Sequence, residues 1–503
     1  MDLTALNTEV AKEEFQSRVK SAVFWRSGTQ ILSQLISWGA TLSVIRILEP
    51  SDYGLFAMTS VVLVFLNFLN GYGLVSALIK SDKVEPIRIR QAFGMLILLN
   101  CALAAIQFFA VAPLAAYYYQ EAIVADLLKW QALIYLSTPF VILPEALLTR
   151  NLDFKKPAIV NLTVAVIGAT VSLVMAFNGY GVWTLIFAPV SMFWARAILL
   201  IIATKFRVRP SFDFKGAGSI FGFGLTMLAS HGLYIVQTQA DIFIAARHVD
   251  THMLGLYAEA LFVAQLFATK FVPPLNEVAF PAYARMQHDK DALSQGFLKA
   301  VRLIMLVACP LYFGLAISAG PFVETLLGEK WLEAVPIVTA LALAMPFLTL
   351  QIIFHPAINA LSVPRIILRN AMAGAVIMPC TYLVAIRYGI EAMAWSWLVS
   401  VPLLLAITIY QIRPFIGFRL RELALATLPG LGAAIVMCAA IWTVDHLVMA
   451  YIWRDIPAPL HLAALTISGA ITYCTLLFFG ARRTFDEVLR LVIRRKAPAG
   501  VSG

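Results

Sequence analysis

The stretch RILEPSDYGLFA, from Arg46 to Ala57, is echoed 201 residues later by RHVDTHMLGLYA, from Arg247 to Ala258. Arg46 pairs with Arg247, Gly54 with Gly255, Leu55 with Leu256 and Ala57 with Ala258 at one constant offset. A second echo sets Tyr180 and Gly181 against Tyr388 and Gly389. Self-similarity over so long a period marks a duplicated unit. Each stretch lies between two long apolar runs, 21–46 and 54–79 for the first, 218–246 and 254–283 for the second.

Working outward, ten more apolar segments follow the same pattern: 91–116, 127–149, 157–178, 181–204, 297–320, 332–360, 366–386, 390–412, 423–447 and 460–480. Each approaches the roughly 20 residues a helix needs to cross a bilayer. They are continuously apolar rather than alternating, which favours helices over a barrel. Of 503 residues, 61% are hydrophobic and 13% charged, with a mean hydropathy of +0.83. That excludes an ordinary water-soluble domain. The expectation is an all-α polytopic membrane protein of about 14 transmembrane helices.

The net charge of +10 is a topology signal rather than a nucleic-acid footprint. Of the 38 Lys and Arg residues, 29 fall on the side shared with the N-terminus, six in the opposite connections and three (Arg26, Arg196, Lys270) within spans. The bias recurs at every alternate loop and predicts that both termini are cytoplasmic, with membrane lipid as the surrounding partner. The first twenty residues carry too many charges for a cleavable signal. Trp130, Trp183, Trp331, Trp453 and Tyr117 to Tyr119 read as an outer aromatic belt. The five cysteines lie in apolar runs without ligand spacing and read as small core residues.

The repeat and the loops together divide the chain into a cytoplasmic segment 1–20, an N-lobe 21–204, a cytoplasmic linker 205–217, a C-lobe 218–412, two appended helices within 413–480 and a basic cytoplasmic tail 481–503. Two six-helix repeats run in the same sense, an arrangement that places a central cavity between them in some transporters. The short loops leave no room for a soluble catalytic domain.

RILEPSDYGLFA, QADIFIAARHVDTHMLGLYAEA (239–260), FPAYARMQHD (280–289) and GEKWLEAVPIV (328–338) resemble the polysaccharide-transporter branch of the multidrug/oligosaccharidyl-lipid/polysaccharide exporter superfamily, the Wzx-type flippases. The resemblance extends over nearly the whole chain, with the four blocks in family order. It implies a non-enzymatic protein of the bacterial inner membrane that moves undecaprenyl-diphosphate-linked oligosaccharide by alternating access, beside a polysaccharide polymerase and chain-length proteins. An exporter of drugs or other small molecules from the same superfamily, and a membrane-embedded polymerase or ligase, are the alternatives. The family supplies no catalytic residue to carry over.

Candidate residues therefore come from this chain. An ionised group inside a bilayer costs roughly 2.5–3.5 kcal/mol, so each is functional unless it reaches an interface or a partner. Lys270 lies mid-span, about 22 Å along the helix from Arg285 at 1.5 Å per residue. Its choices are a diphosphate or a structural pair with Glu259 or Glu277. Pro273 and Pro274 follow and are expected to kink or unwind the helix beside it. Arg26 and Arg196 lie about two turns inside the inner boundary, where they either meet cargo or snorkel. Arg46 and Arg247 either guide phosphate outward or cap helix C-termini.

Glu145 and Asp241 are candidates for binding a coupling proton or sodium ion, or sugar hydroxyls, against the rival of pairing with an arginine. His231 and His355 read as packing histidines. His248, Asp250 and His252 form a spaced cluster without an evident third strong ligand, so no metal is expected. No G-x-x-x-x-G-K-[ST] loop occurs and no cofactor is expected. With the inside negative, outward movement of an anion is favoured by about 2.3 kcal/mol per charge per 100 mV.

Overall fold

A computed structural model of the chain describes residues 28–68, 86–150, 155–213, 218–449 and 456–480. The helices are α1 (28–47), α2 (Pro50–Phe68), α3 (Pro86–Tyr119), α4 (Ala122–Gln131), α5 (Leu133–Arg150), α6 (Lys155–Phe177), α7 (Val182–Thr204) and α8 (Gly218–His248). There follow α9 (Thr251–Lys270), α10 (Val272–Met286), α11 (Lys290–Ile317), α12 (Ala319–Leu326), α13 (Val335–Ala360), α14 (Pro364–Ala385), α15 (Ile390–Ile416), α16 (Leu420–Thr443) and α17 (Ala458–Gly480). Among the described residues, eleven helical segments are long and apolar enough to cross a membrane. Helices α1, α2 and α8 occupy three further apolar segments. The protein is all-α and polytopic.

The chain divides into two compact units. The first comprises Met1–Ile235 and Asp250–Gly255, the second Val236–Val249 and Leu256–Gly503. The break between them falls inside α8, away from the connecting segment 205–217.

Within the first unit, helices α5, α6 and α7 share an apolar seam of Val141, Leu148, Val160, Val164, Ala197 and Leu200. Phe93 on α3 meets Phe140 edge-on at 5.6 Å and Phe206 at 5.3 Å. The segment after α7 runs back along the start of α3: Ser211 N–H donates to the Arg90 carbonyl at 2.8 Å and Gln91 Nε2 to the Asp213 carbonyl at 2.7 Å. Gly94 permits that approach, because a Cβ there would strike the Ser211 carbonyl.

The duplicated stretches meet inside this unit. A Cβ on Gly54 would run into the Thr251 carbonyl, and one on Gly255 into the Pro50 carbonyl. Pro50 and Thr251 stand at the same 201-residue offset as the two glycines, so the contact is made twice by equivalent atoms. The helices beginning at these points are capped in complementary ways. Glu49 N–H donates to Asp52 Oδ2 at 3.1 Å, whereas Met253 N–H donates to Asp250 Oδ1 at 2.8 Å. These are the two halves of a capping box. Asp250→Ala is expected to lower stability by about 1 kcal/mol, read as a small downward shift of the melting temperature in detergent.

Two further elements need special backbone. Gly181 and Gly389, which precede α7 and α15, have φ of 51° and 104°, a region that L residues avoid; this accounts for the second sequence echo. Helix α3 contains a π turn at Gln107–Val111, where the buried Gln107 donates from Nε2 to the Leu128 carbonyl at 2.7 Å.

The second unit packs around Phe297, whose ring lies 4.8 Å from that of Phe354 and 5.6 Å from that of Phe418. In lipid such a core gains from close packing rather than from expelling water. Trp331, in the same unit, is fully buried, so it is not part of an aromatic belt; Tyr119 is buried too, while Tyr117 and Trp130 are exposed. Of the cysteines, Cys309 is buried and Cys438 partly so, but Cys101, Cys380 and Cys474 are exposed rather than core. Asp445 and His461 tie α17 to the π turn Val444–Met449 that follows α16, His461 Nε2 standing 2.7 Å from Oδ1.

Candidate functional site

Lys270 is the last residue of α9, and the helix restarts at Val272 after a break at Phe271. The prolines explain it. Pro273 and Pro274 have no N–H to give to the carbonyls of Thr269 and Lys270, but they fit the first turn of a new helix. The break is braced: Ala268 N–H donates to Tyr312 Oη at 3.1 Å, and Asn276 Nδ2 to the Ile352 carbonyl at 3.2 Å. The Lys270 side chain is exposed. Among the described residues it forms no ion pair with Glu259 or Glu277. Glu277 is exposed on α10, and Glu259 is 9% exposed, with Oε2 lacking a partner.

Arg196 and Glu145 find each other. Arg196 Nη2 donates to Glu145 Oε1 at 2.9 Å and Oε2 at 3.0 Å. The Arg196 side chain is 32% exposed and that of Glu145 37%. Arg196 Nε is buried and has no partner.

In the second unit, Asp241 on α8 is 1% exposed. Its Oδ2 accepts from Tyr257 Oη at 3.1 Å, and Trp397 Nε1 donates to the same Tyr257 oxygen at 3.0 Å. Tyr382 lies alongside, its ring 6.1 Å from that of Trp397. Asp241 Oδ1 has no partner. Asp241 thus sits among aromatic donors rather than with an arginine. Tyr257, Trp397 and Tyr382 were not singled out from sequence, although a signal exists: where the second stretch has Asp241, Tyr257 and Glu259, the first has Ala40, Phe56 and Met58. The polar groups are peculiar to the second copy.

Arg46 and Arg247 are exposed and occupy the ends of α1 and α8, where a cation complements the helix dipole. His248 Nδ1 lies 2.9 Å from the Ile244 carbonyl, and Asp250 is engaged as a cap. Arg26 and the side chain of His231 lie outside the described residues; His355 lies on α13.

Residues 44–336 match the family model described as "Polysaccharide biosynthesis protein". The chain is 24% identical over 490 residues to the succinoglycan biosynthesis transport protein ExoT of Rhizobium meliloti (strain 1021), covering 94% of this chain and 97% of that one. It is 22% identical to the lipopolysaccharide biosynthesis protein WzxC of Escherichia coli (strain K12), covering 66% and 71%. Among solved structures, the lipid II flippase MurJ in an inward closed conformation superposes with a TM-score of 0.73 at 12% identity over 93% of this chain and all of that one. An inward-facing multidrug-resistance transporter of the MATE family, from the MOP superfamily, superposes with a TM-score of 0.60 at 12% identity over 77% and 94%. These likenesses carry the fold. The chain belongs to the polysaccharide biosynthesis protein family, in the polysaccharide-transporter branch to which its four sequence blocks point.

Proposed function

We propose that this protein is a flippase that carries undecaprenyl-diphosphate-linked oligosaccharide repeat units from the inner to the outer leaflet of the bacterial inner membrane, for exopolysaccharide, capsule or O-antigen assembly. It works by alternating access between two like-oriented repeats, with both termini cytoplasmic. The observation that carries the reading is Lys270, a cation with no ion-pair partner among the described residues, set at the interruption of an apolar helix. A diphosphate carries about two negative charges and cannot enter hydrocarbon unpaired. A lysine ammonium supplies a point charge for it, and an arginine a fork of donors. Arg26, Arg196, Arg46 and Arg247 are the other cations proposed for the route, and a polymerase and chain-length proteins are the proposed partners. The likeness to a succinoglycan transport protein over almost its full length supports the cargo class.

Reconstitution tests it. Vesicles holding the purified protein and an undecaprenyl-diphosphate-linked oligosaccharide are expected to expose the sugar to an added lectin faster than protein-free vesicles. Equal rates would refute the reading.

Asp241 is the proposed coupling group, since one carboxylate oxygen is fixed by Tyr257 and the other is left for a proton or sodium ion; Glu145, Glu259 and Glu277 are the remaining acidic candidates. Asp241→Asn is expected to slow gradient-driven translocation by about tenfold, within the span of ordinary coupling energies. A variant that still responds to imposed proton or sodium gradients as the parent does would remove Asp241 from that role.

A further inference from the structure

The pair between Glu145 on α5 and Arg196 on α7 is built unlike a permanent structural bridge. The strong form of an arginine–carboxylate contact is a fork in which two nitrogens meet two oxygens. Here Arg196 reaches both oxygens through Nη2, at 2.9 and 3.0 Å, and its Nε is left buried and unpartnered. Burying an N–H without an acceptor is unfavourable. The edge of the guanidinium formed by Nε and Nη2 is thus only half used. About a third of each side chain is open, so the pair is accessible from outside the protein. It lies between apolar turns, Val141 and Leu148 on α5 and Leu200 on α7, which fix its position along the helices. Both residues belong to the first unit.

A cation at this depth needs a counter-ion whether or not cargo is bound. We propose that Glu145 is an internal stand-in for the cargo diphosphate. Phosphate oxygens take the Nε and Nη2 edge of Arg196 as the lipid-linked substrate binds, displacing the carboxylate, and the carboxylate reclaims Arg196 as the substrate leaves. The exchange keeps Arg196 neutralised in both states and assists release. The inference rests on the flippase reading and adds an antagonist to it: one acidic residue that weakens binding in order to permit turnover.

The test uses the full chain in nanodiscs, with undecaprenyl diphosphate as the binding probe, together with the vesicle translocation assay. Glu145→Gln is expected to bind the probe three- to tenfold more tightly, the scale of an ion pair discounted for about one-third exposure, while translocating more slowly. Arg196→Gln is expected to lose binding and translocation together. The double variant should bind like Arg196→Gln, because the exchange places the effect of the carboxylate on probe binding at that arginine. If Glu145→Gln is not recovered folded, Glu145→Asp, which keeps the charge but withdraws it from Nη2, is expected to tighten binding to a smaller degree. Probe affinity and turnover at parental values in a folded Glu145 variant, or weaker binding in it, would overturn the exchange while leaving the flippase reading intact. Failure of the parent protein to translocate lipid-linked oligosaccharide would overturn both.

Discussion

Gly255→Ala is expected to destabilise the protein strongly for a change of a single methyl group. The added carbon points into the Pro50 carbonyl and also sits 3.0 Å from the Gly54 amide nitrogen. Both obstacles are main chain, so no rotamer change can relieve the clash. One helix start has to move away from the other. Overpacking of this kind costs about 1–3 kcal/mol and occasionally more, and the absence of a flexible neighbour puts this site at the upper end. Gly54→Ala, which meets the Thr251 carbonyl, should behave alike. The measurement is the melting temperature of the purified variants in detergent. Gly320→Ala on α12 is the control: a Cβ there has nothing within 4 Å, and alanine is the better helix former by about 1 kcal/mol. A Gly255→Ala variant that melts with Gly320→Ala would show that the two carbonyls do not close on these glycines.

Lys270→Ala is expected to produce a dissociation between folding and function. Removing a charge whose burial in a bilayer costs roughly 2.5–3.5 kcal/mol should leave stability unchanged or raise it. Removing the partner of a cargo phosphate should cost about 2–5 kcal/mol of binding, so glycan export should fall by more than tenfold. Lys270→Arg should keep most of the export, since it restores the charge. A structural lysine would give the opposite pattern, with melting temperature and export falling together. Full export by a stably inserted Lys270→Ala protein would exclude the residue from the transport path.

The membrane class was legible because it is written in bulk properties: apolar runs near 20 residues need no knowledge of tertiary contacts. The interruption at Phe271 was legible as well, since Pro273 and Pro274 remove specific backbone donors whatever surrounds them. Partnerships were not. Glu145 and Arg196 are 51 residues apart in sequence, and only the packing of α5 on α7 decides that they meet. Trp331 was misplaced for a related reason. Tryptophan at the end of an apolar run favours an interface, but the short turn Glu329–Ala334 folds it into the interior of the second unit. The Asp241 network lay between these extremes, hidden while one copy of the repeat is read alone and visible once Ala40 and Phe56 are set beside Asp241 and Tyr257.

The split capping box shows how two similar stretches can differ in detail. A role that several chemistries can fill is free to differ between the two: the carboxylate at the N-cap position of the second takes the N3 amide, the one three residues into the helix of the first takes the N-cap amide, and each fastens the same first turn through a different orphan group. A role defined by the space between two carbonyls has a single occupant, hydrogen, and at Gly54 and Gly255 both copies have retained it. Likeness between the two stretches therefore stays readable where geometry leaves no substitute, and fades first where chemistry is redundant.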